Sequence, residues 1–359
     1  MNLDELRSRI DDLDRRIVQL VAERVRIARE AGEVKQRAGL GAVDVARERA
    51  VLEVVGQVAR DEGVAERDMQ DIYKRVIALC RGAQLTTVAF QGEAGAYSEA
   101  AALDFFRVPV QTRPYESFEG VFRAVEQGEA DLGIVPVENS LEGSVNPVYD
   151  LLLESSLMVC GETELRVVHC LIGSPGTRMD DIRRIYSHPQ ALSQCRRFLG
   201  HLGRELVPTH DTAGSVRMLK ENRLLDGAAV ASARAAEIYD MEVLAEGIED
   251  NPVNYTRFFV LSPSDCLPTG ADKTSIVFSI KEEPGSLYRA LRKFAVRKIN
   301  LTRLESRPMR HRPWEYNFYL DCHGHRGERP VSDALRTLDK GSLFLKVLGS
   351  YPRARRPVR

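Results

Sequence analysis

Little in this sequence supports a covalent or metal-held scaffold. Its six cysteines, Cys80, Cys160, Cys170, Cys195, Cys266 and Cys322, are scattered without a CxxC pair. That spacing argues against a disulfide framework, a zinc ribbon or a thioredoxin-type motif and leaves reduced thiols. No apolar run approaches the roughly 18 residues of a membrane helix. The first residues, Met1 to Arg7, are charged where a secretory leader needs an apolar core, so a cytoplasmic protein is expected. Charge of one sign is lacking as well. The 51 Lys+Arg and 52 Asp+Glu nearly cancel, so no bulk field draws the chain to nucleic acid or to a membrane. Gly92 and Gly95 stand alone where dinucleotide binding wants GxGxxG, and no NAD or other cofactor is expected. Cys322, His323 and His325 have metal-like spacing without a fourth ligand and read as a solvated turn, so no metal is expected. Repeats and low-complexity segments are absent apart from the basic tail, Arg353 to Arg359.

What is present divides by period. The 359 residues suggest two or three domains. Residues 1–85 hold no strand-like run; Leu3, Leu6, Ile10, Leu13, Ile17, Leu20, Ile27 and Val34 recur at helical spacing and predict one long helix. Shorter helices are expected near 44–60 and 66–84. Three such helices cannot cover the long apolar stripe, so a homodimer or higher homo-oligomer is expected. Residues 86–265 alternate short apolar strands with helical patterns, an α/β segment with largely parallel strands. After a linker with Pro263, Pro268 and Gly270, residues 273–352 read as the βαββαβ order of a ferredoxin-like α+β unit.

The helical stripe asks for an apolar residue at position 24 and has Arg24. Lys35, eleven residues on, returns to within about 20° of the same face. Arg47 and Glu48 follow on the second helix, and Gln84 lies one turn beyond Cys80 on the third. These polar groups are either stem-buried surface residues reaching water, with Asp44 and Glu48 as ion partners, or a clamp for a small dianion. The pattern of Arg7, Asp14, Arg24, Lys35, Asp44, Arg47, Glu48 and Gln84 resembles the all-helical chorismate mutase family. The resemblance implies Arg7, Arg24 and Arg47 on substrate carboxylates, Lys35 and Gln84 donating to the breaking ether oxygen, and Glu48 accepting from the ring hydroxyl. It gives Asp44 a supporting role, and Cys80 stands where relatives often carry serine. Arg7 lies about 25 Å along a straight helix from Arg24, so an antiparallel partner chain would have to deliver it.

In the α/β segment, polar residues gather where strands end: Gly92 to Ser98, Pro136 to Ser140, Ser187 to Gln190, Asp211 to Ala213. Such residues cap helices or cradle an anion outside the strand ends. Thr256 and Arg257, entering the apolar run Phe258 to Leu261, read as an ordinary strand edge or as a site. The run resembles the Thr-Arg-Phe signature of prephenate dehydratases, with further matches at Tyr97, Glu138, Asn139, His169, Ser187, His188, Gln194 and Cys195. That resemblance implies two α/β lobes of periplasmic-binding-protein type. It makes Thr256 the proton donor or leaving-group hydrogen-bonder, supported by Ser187, Asn139 and Gln194. Arg257 would hold carboxylates, and Glu138 and Asp211 would tune the protonation. A hydrolase built on His188 lacks a GxSxG elbow.

The last segment resembles ACT domains. Glu305, Ser306 and Arg307 match a phenylalanine-sensing signature, and Gly285, Ser286 and Leu287 occupy the other ligand loop. Together the resemblances imply a bifunctional enzyme of phenylalanine biosynthesis, acting on chorismate and then prephenate and inhibited by phenylalanine. The alternative is a two-lobed effector-binding regulatory protein without turnover.

Overall fold

The computed structural model describes residues 2–37, 45–82, 86–106, 108–309 and 312–354. The chain forms two compact units, one essentially residues 1–88 and the other most of the remainder.

The first unit is three helices: α1 (Leu3–Arg37), α2 (Val45–Asp61) and α3 (Glu66–Gly82). A capping box starts α1, with Asn2 Oδ1 accepting from Glu5 N at 2.8 Å and Asn2 N donating to Glu5 Oε2 at 3.0 Å. Within the unit α3 buries Ile77 and Cys80, and α2 buries Ala59. The α1 stripe of Leu3, Ile10, Leu13, Ile17 and Leu20 is left exposed, each residue more than half accessible.

The second unit begins with a lobe of β1 (Thr87–Gln91), α4 (Tyr97–Phe106), β2 (Gln111–Tyr115), α5 (Phe118–Glu126), β3 (Leu132–Asn139), β4 (Gly143–Ser144), α6 (Asn146–Glu154) and β5 (Met158–Arg166). The second lobe holds β6 (Cys170–Gly173), β7 (Arg184–Ser187), α7 (Pro189–Gln194), α8 (Arg196–Leu202), β8 (Glu205–Pro208), α9 (Thr212–Glu221), β9 (Gly227–Ala231), α10 (Ala233–Ile238) and β10 (Glu242–Glu246). Strand β11 (Tyr255–Ser262) then returns to the first lobe and lies between β3 and β5, giving the order β2-β1-β3-β11-β5; the second sheet runs β10-β6-β9-β7-β8. The sheets are mixed rather than largely parallel. Strand β11 arrives from the second lobe and runs antiparallel to both neighbours, while β7 is parallel to β8 and β9. Apolar runs report burial on both faces, and that does not encode strand direction.

The βαββαβ reading matches the remaining elements: β12 (Asp272–Ser279), α11 (Ser286–Ala295), β13 (Leu301–Met309), β14 (Arg312–His323), α12 (Arg329–Asp339) and β15 (Phe344–Pro352), with strand order β13-β14-β12-β15. One face is covered by the two helices through Ile276, Phe278, Phe294, Leu320 and Leu338. The other face packs on the first lobe. Lys346 Nζ donates to the carbonyls of Leu152 and Leu153 at 2.9 and 2.8 Å, closing the C-terminal end of α6. Gly349 lies directly on the backbone of β5, where a Cβ would overlap Val159. Gly349→Ala must therefore push the two sheets apart. It should lower stability by about 1–3 kcal/mol, read as a reduced denaturation midpoint of the second unit; an unchanged midpoint would mean the contact is loose.

Candidate functional site

A cavity of about 680 Å³ opens between the two α/β lobes, and its walls include Tyr97, Pro136, Asn139, His169, His188, Gln194, His210, Asp211 and Thr256. The lobes touch behind it at Gly95, whose φ of +90° only glycine adopts without strain. A Cβ there would lie 2.7 Å from Ala235 Cα, and Ser232 Oγ donates to Gly95 O at 2.6 Å.

A β-bulge builds the first-lobe wall. Thr256 pairs with Asn139 and Arg257 with Glu138, but Phe258 pairs with Pro136, so Val137 is the extra residue. Simple alternation would send Pro136 and Asn139 to opposite faces; the bulge returns both to the cavity.

The polarity of the site is fixed from the backbone inward. Asn139 Oδ1 accepts from Leu141 N at 2.9 Å and Glu142 N at 3.1 Å, which settles which end of its carboxamide is nitrogen. Its Nδ2 therefore donates, to Asn254 Oδ1 at 2.8 Å and to Thr256 Oγ1 at 3.0 Å. Asn254 Nδ2 then donates to Gln194 Oε1 at 3.0 Å, and His169 Nε2, 2.9 Å from the same oxygen, must carry a proton. His169 Nδ1 lies 2.9 Å from Tyr97 OH, whose single proton is shared between this nitrogen and Val168 O at 2.7 Å. Burial lowers the His169 pKa, opposed by the Gln194 hydrogen bond and Glu249, which fits this neutral tautomer. At the other end Thr256 Oγ1 accepts from Asn139, and among the described residues no protein group accepts its own proton, which can be donated into the cavity.

The structure thus gathers Thr256, Asn139, Gln194 and Asp211, the last also capping α9 through Gly214 N. Three expected residues lie elsewhere. Ser187 is fully buried and donates to Val230 O at 2.6 Å. Arg257 follows Thr256 and so points to the opposite face of β11. There it binds Glu162 Oε2 at 2.6 Å and Asp321 Oδ2 at 2.7 Å, not a substrate carboxylate. Glu138 shares that face and meets Arg303 at 3.3 Å. The network members His169, Asn254 and Tyr97 had no assigned role; Asn254 stands two residues before Thr256, the spacing of one strand face.

In the helical unit, Arg24 is half-buried and its Nη1 donates to Cys80 Sγ at 2.7 Å, so the two residues do meet. Glu48 is half-buried, Arg47 exposed, and Arg7 exposed beside Asp4 at 3.6 Å. Lys35 lies on the last turns of α1. Asp44 and Gln84 fall outside the described residues. In the C-terminal unit, Ser286 and Leu287 line a cavity of about 430 Å³ with Ile280, Pro284, Tyr316 and Phe318, beside Gly285 at the head of α11. Glu305 and Arg307 are turned away from it: Glu305 accepts from Ser144 Oγ and from Arg307, which lies over the Tyr149 ring. Ser306, between them, is exposed on the other face.

The His169 tautomer makes the cleft acid-sensitive. With a folded pKa below the ordinary 6.5, its contribution to stability is complete above the unfolded value and is lost as pH falls through the folded one. Stability below pH 6.5 should fall with a slope approaching 1.4 kcal/mol per pH unit. His169→Gln should flatten denaturation midpoints between pH 7 and 5; an equal slope would assign the sensitivity elsewhere.

Residues 88–266 match the prephenate dehydratase family and residues 6–85 the type II chorismate mutases. A solved prephenate dehydratase from Arthrobacter aurescens, in complex with L-Phe, superposes with a TM-score of 0.68 at 36% identity, over 74% of this chain and 90% of that one. GqqA, described as a novel type of quorum-quenching acylase, gives 0.69 at 38% identity over 75% of this chain and 98% of its own. A bifunctional chorismate mutase/prephenate dehydratase of Stutzerimonas stutzeri is 39% identical over 98% of both chains. Because that likeness runs through the helical unit and the cleft alike, the chain belongs to the bifunctional chorismate mutase/prephenate dehydratase family.

Proposed function

We propose that the chain converts chorismate to prephenate in a helical domain, 1–85, and prephenate to phenylpyruvate in a dehydratase domain, 86–265, under control of an ACT domain, 273–352. The observation that carries the second step is the Thr256 hydroxyl at the cavity wall, oriented by the hydrogen bond that its oxygen accepts from Asn139. In that step the C–C bond to the ring carboxylate breaks and releases carbon dioxide. Its electron pair completes the aromatic ring, and the C–O bond to the ring hydroxyl breaks. One proton joins the departing oxygen to give water. The proton enters from solvent, and Thr256 hydrogen-bonds the departing hydroxyl where negative charge develops. The electron count closes without a redox partner.

The rearrangement needs donors rather than a nucleophile. Arg24 beside Cys80, Arg47, Lys35 and Gln84 supply them in this reading, with Glu48 accepting from the ring hydroxyl and Asp44 in support, and the exposed α1 stripe supports a second copy that delivers Arg7. Acyl transfer, the activity named for GqqA, finds less support in the cleft. Ser187 gives its proton to Val230 O, and burial pushes the Cys195 thiol far up.

Phenylalanine, the ligand of the Arthrobacter aurescens structure, fits the cavity beside Gly285, Ser286 and Leu287. The amino-acid head group would approach the N-terminal turn of α11, and its ring would meet Leu287 and Phe318.

Thr256→Val should reduce prephenate dehydration at least a hundredfold and leave chorismate consumption within about twofold. Arg24→Ala should do the reverse. Both are read from purified protein given chorismate or prephenate without added cofactor, and parallel loss of both activities would overturn the two-site assignment. Calorimetry with phenylalanine should show binding to the wild type and about tenfold weaker binding to Leu287→Ala; equal affinity would move the effector elsewhere.

A further inference from the structure

The expected carboxylate ligand, Arg257, faces away from the cleft, and the described residues lining the cavity include no lysine or arginine. Arg217, in the adjoining depression, is taken by Glu93 at 3.1 Å. Yet the substrate carries two carboxylates. What the second lobe does present is a pair of imidazoles, His188 after β7 and His210 after β8.

His188 is the N-cap of α7, and its Nδ1 accepts from Gln190 N at 3.2 Å. That bond assigns the other ring nitrogen, Nε2, as the N–H in the neutral imidazole. Among the described residues Nε2 has no protein partner. Burial, and then His210, lower the His188 pKa against the opposing Asp211, so His188 enters the cleft as a neutral donor. His210 is exposed at the cavity rim.

We propose that His188, through its Nε2–H, and His210 beside it bind the pyruvyl carboxylate of prephenate, the one that the product retains. This rests on the dehydratase reading and adds the polarity of substrate binding. The ring carboxylate must leave as neutral carbon dioxide, so a strong cationic clamp on it would hold back the bond that has to break. It is better placed against apolar wall, and Phe118, Val145 and Val167 provide that wall. The pyruvyl carboxylate keeps its charge throughout and can be gripped uniformly. Thr256 on the first lobe then meets the ring hydroxyl while the histidines of the second lobe hold the pyruvyl end, so the substrate spans both lobes.

His188→Asn separates the two roles of this residue, because asparagine is a strong N-cap but cannot reproduce the far ring nitrogen. In the full-length enzyme it should raise the KM for prephenate ten- to hundredfold, with kcat within about threefold and chorismate consumption unchanged. His210→Ala, at an exposed position, should raise KM about three- to tenfold. Phenylpyruvate has the pyruvyl carboxylate and lacks both the ring carboxylate and the hydroxyl. As a competitive inhibitor it should weaken by the same factor as KM in each variant. Wild-type KM values in both variants, or a fall in kcat at constant KM, would overturn the proposal. A raised KM with undiminished phenylpyruvate inhibition would overturn the choice of carboxylate. Absence of prephenate turnover by the wild type would instead overturn the dehydratase reading itself.

Discussion

A guanidinium withdrawn from water must find anions, and Arg257 organises much of the second unit around that requirement. Its partners come from both sides of a domain boundary: Glu162 from the first lobe, and Asp321 and Tyr351 from the C-terminal sheet. Lys273 adds a second cation to Glu162 at 2.8 Å. Burial alone would raise the Asp321 carboxyl, but Arg257, Ser275 and Arg303 together hold it below the usual range. Separating the two sheets would leave Arg257 only the carboxylates of its own sheet, Glu162 foremost, and would strip Asp321 and Lys273 of their partners across the boundary. The residue before Arg257 on the same strand is Thr256, so the arrangement that satisfies the cation also fixes where the cleft hydroxyl sits.

On the cleft side the ordering device is a carboxamide rather than a charge. Two backbone N–H groups set the orientation of Asn139, and from there each donor and acceptor has one allowed role as far as the imidazole of His169. No member of the chain needs to be ionised. The result is a preorganised wall that orients the Thr256 hydroxyl toward the cavity, which is what a site needs if it is to stabilise charge that appears only as a bond breaks.

The sequence made the helical unit, the strand ends and the C-terminal βαββαβ order legible because each is a local pattern: the helical period, capping residues, apolar runs. It also pointed to Thr256, Asn139 and Gln194. Arg257, Glu138 and Ser187 were misplaced for a common reason. Adjacent strand residues face opposite ways, and without the register nothing local says which of Thr256 and Arg257 looks into the cleft. The Val137 bulge, which returns Pro136 and Asn139 to one face, leaves no composition signal. Glu305 and Arg307 failed in the same way, since β13 presents one row of side chains to the first lobe and the next to solvent.

The insertion of β11 between β3 and β5 has a bearing on the order in which the chain becomes structured as it is synthesised. The second lobe is continuous in sequence and can close as soon as its last strand emerges. The first lobe cannot, because the middle of its sheet lies nearly a hundred residues downstream of β5. Until then β3 and β5 are unpaired edges, the sort of surface on which nascent chains aggregate. The later lobe in sequence is therefore ready first, and the strand that completes the earlier one is also the strand that brings in Thr256.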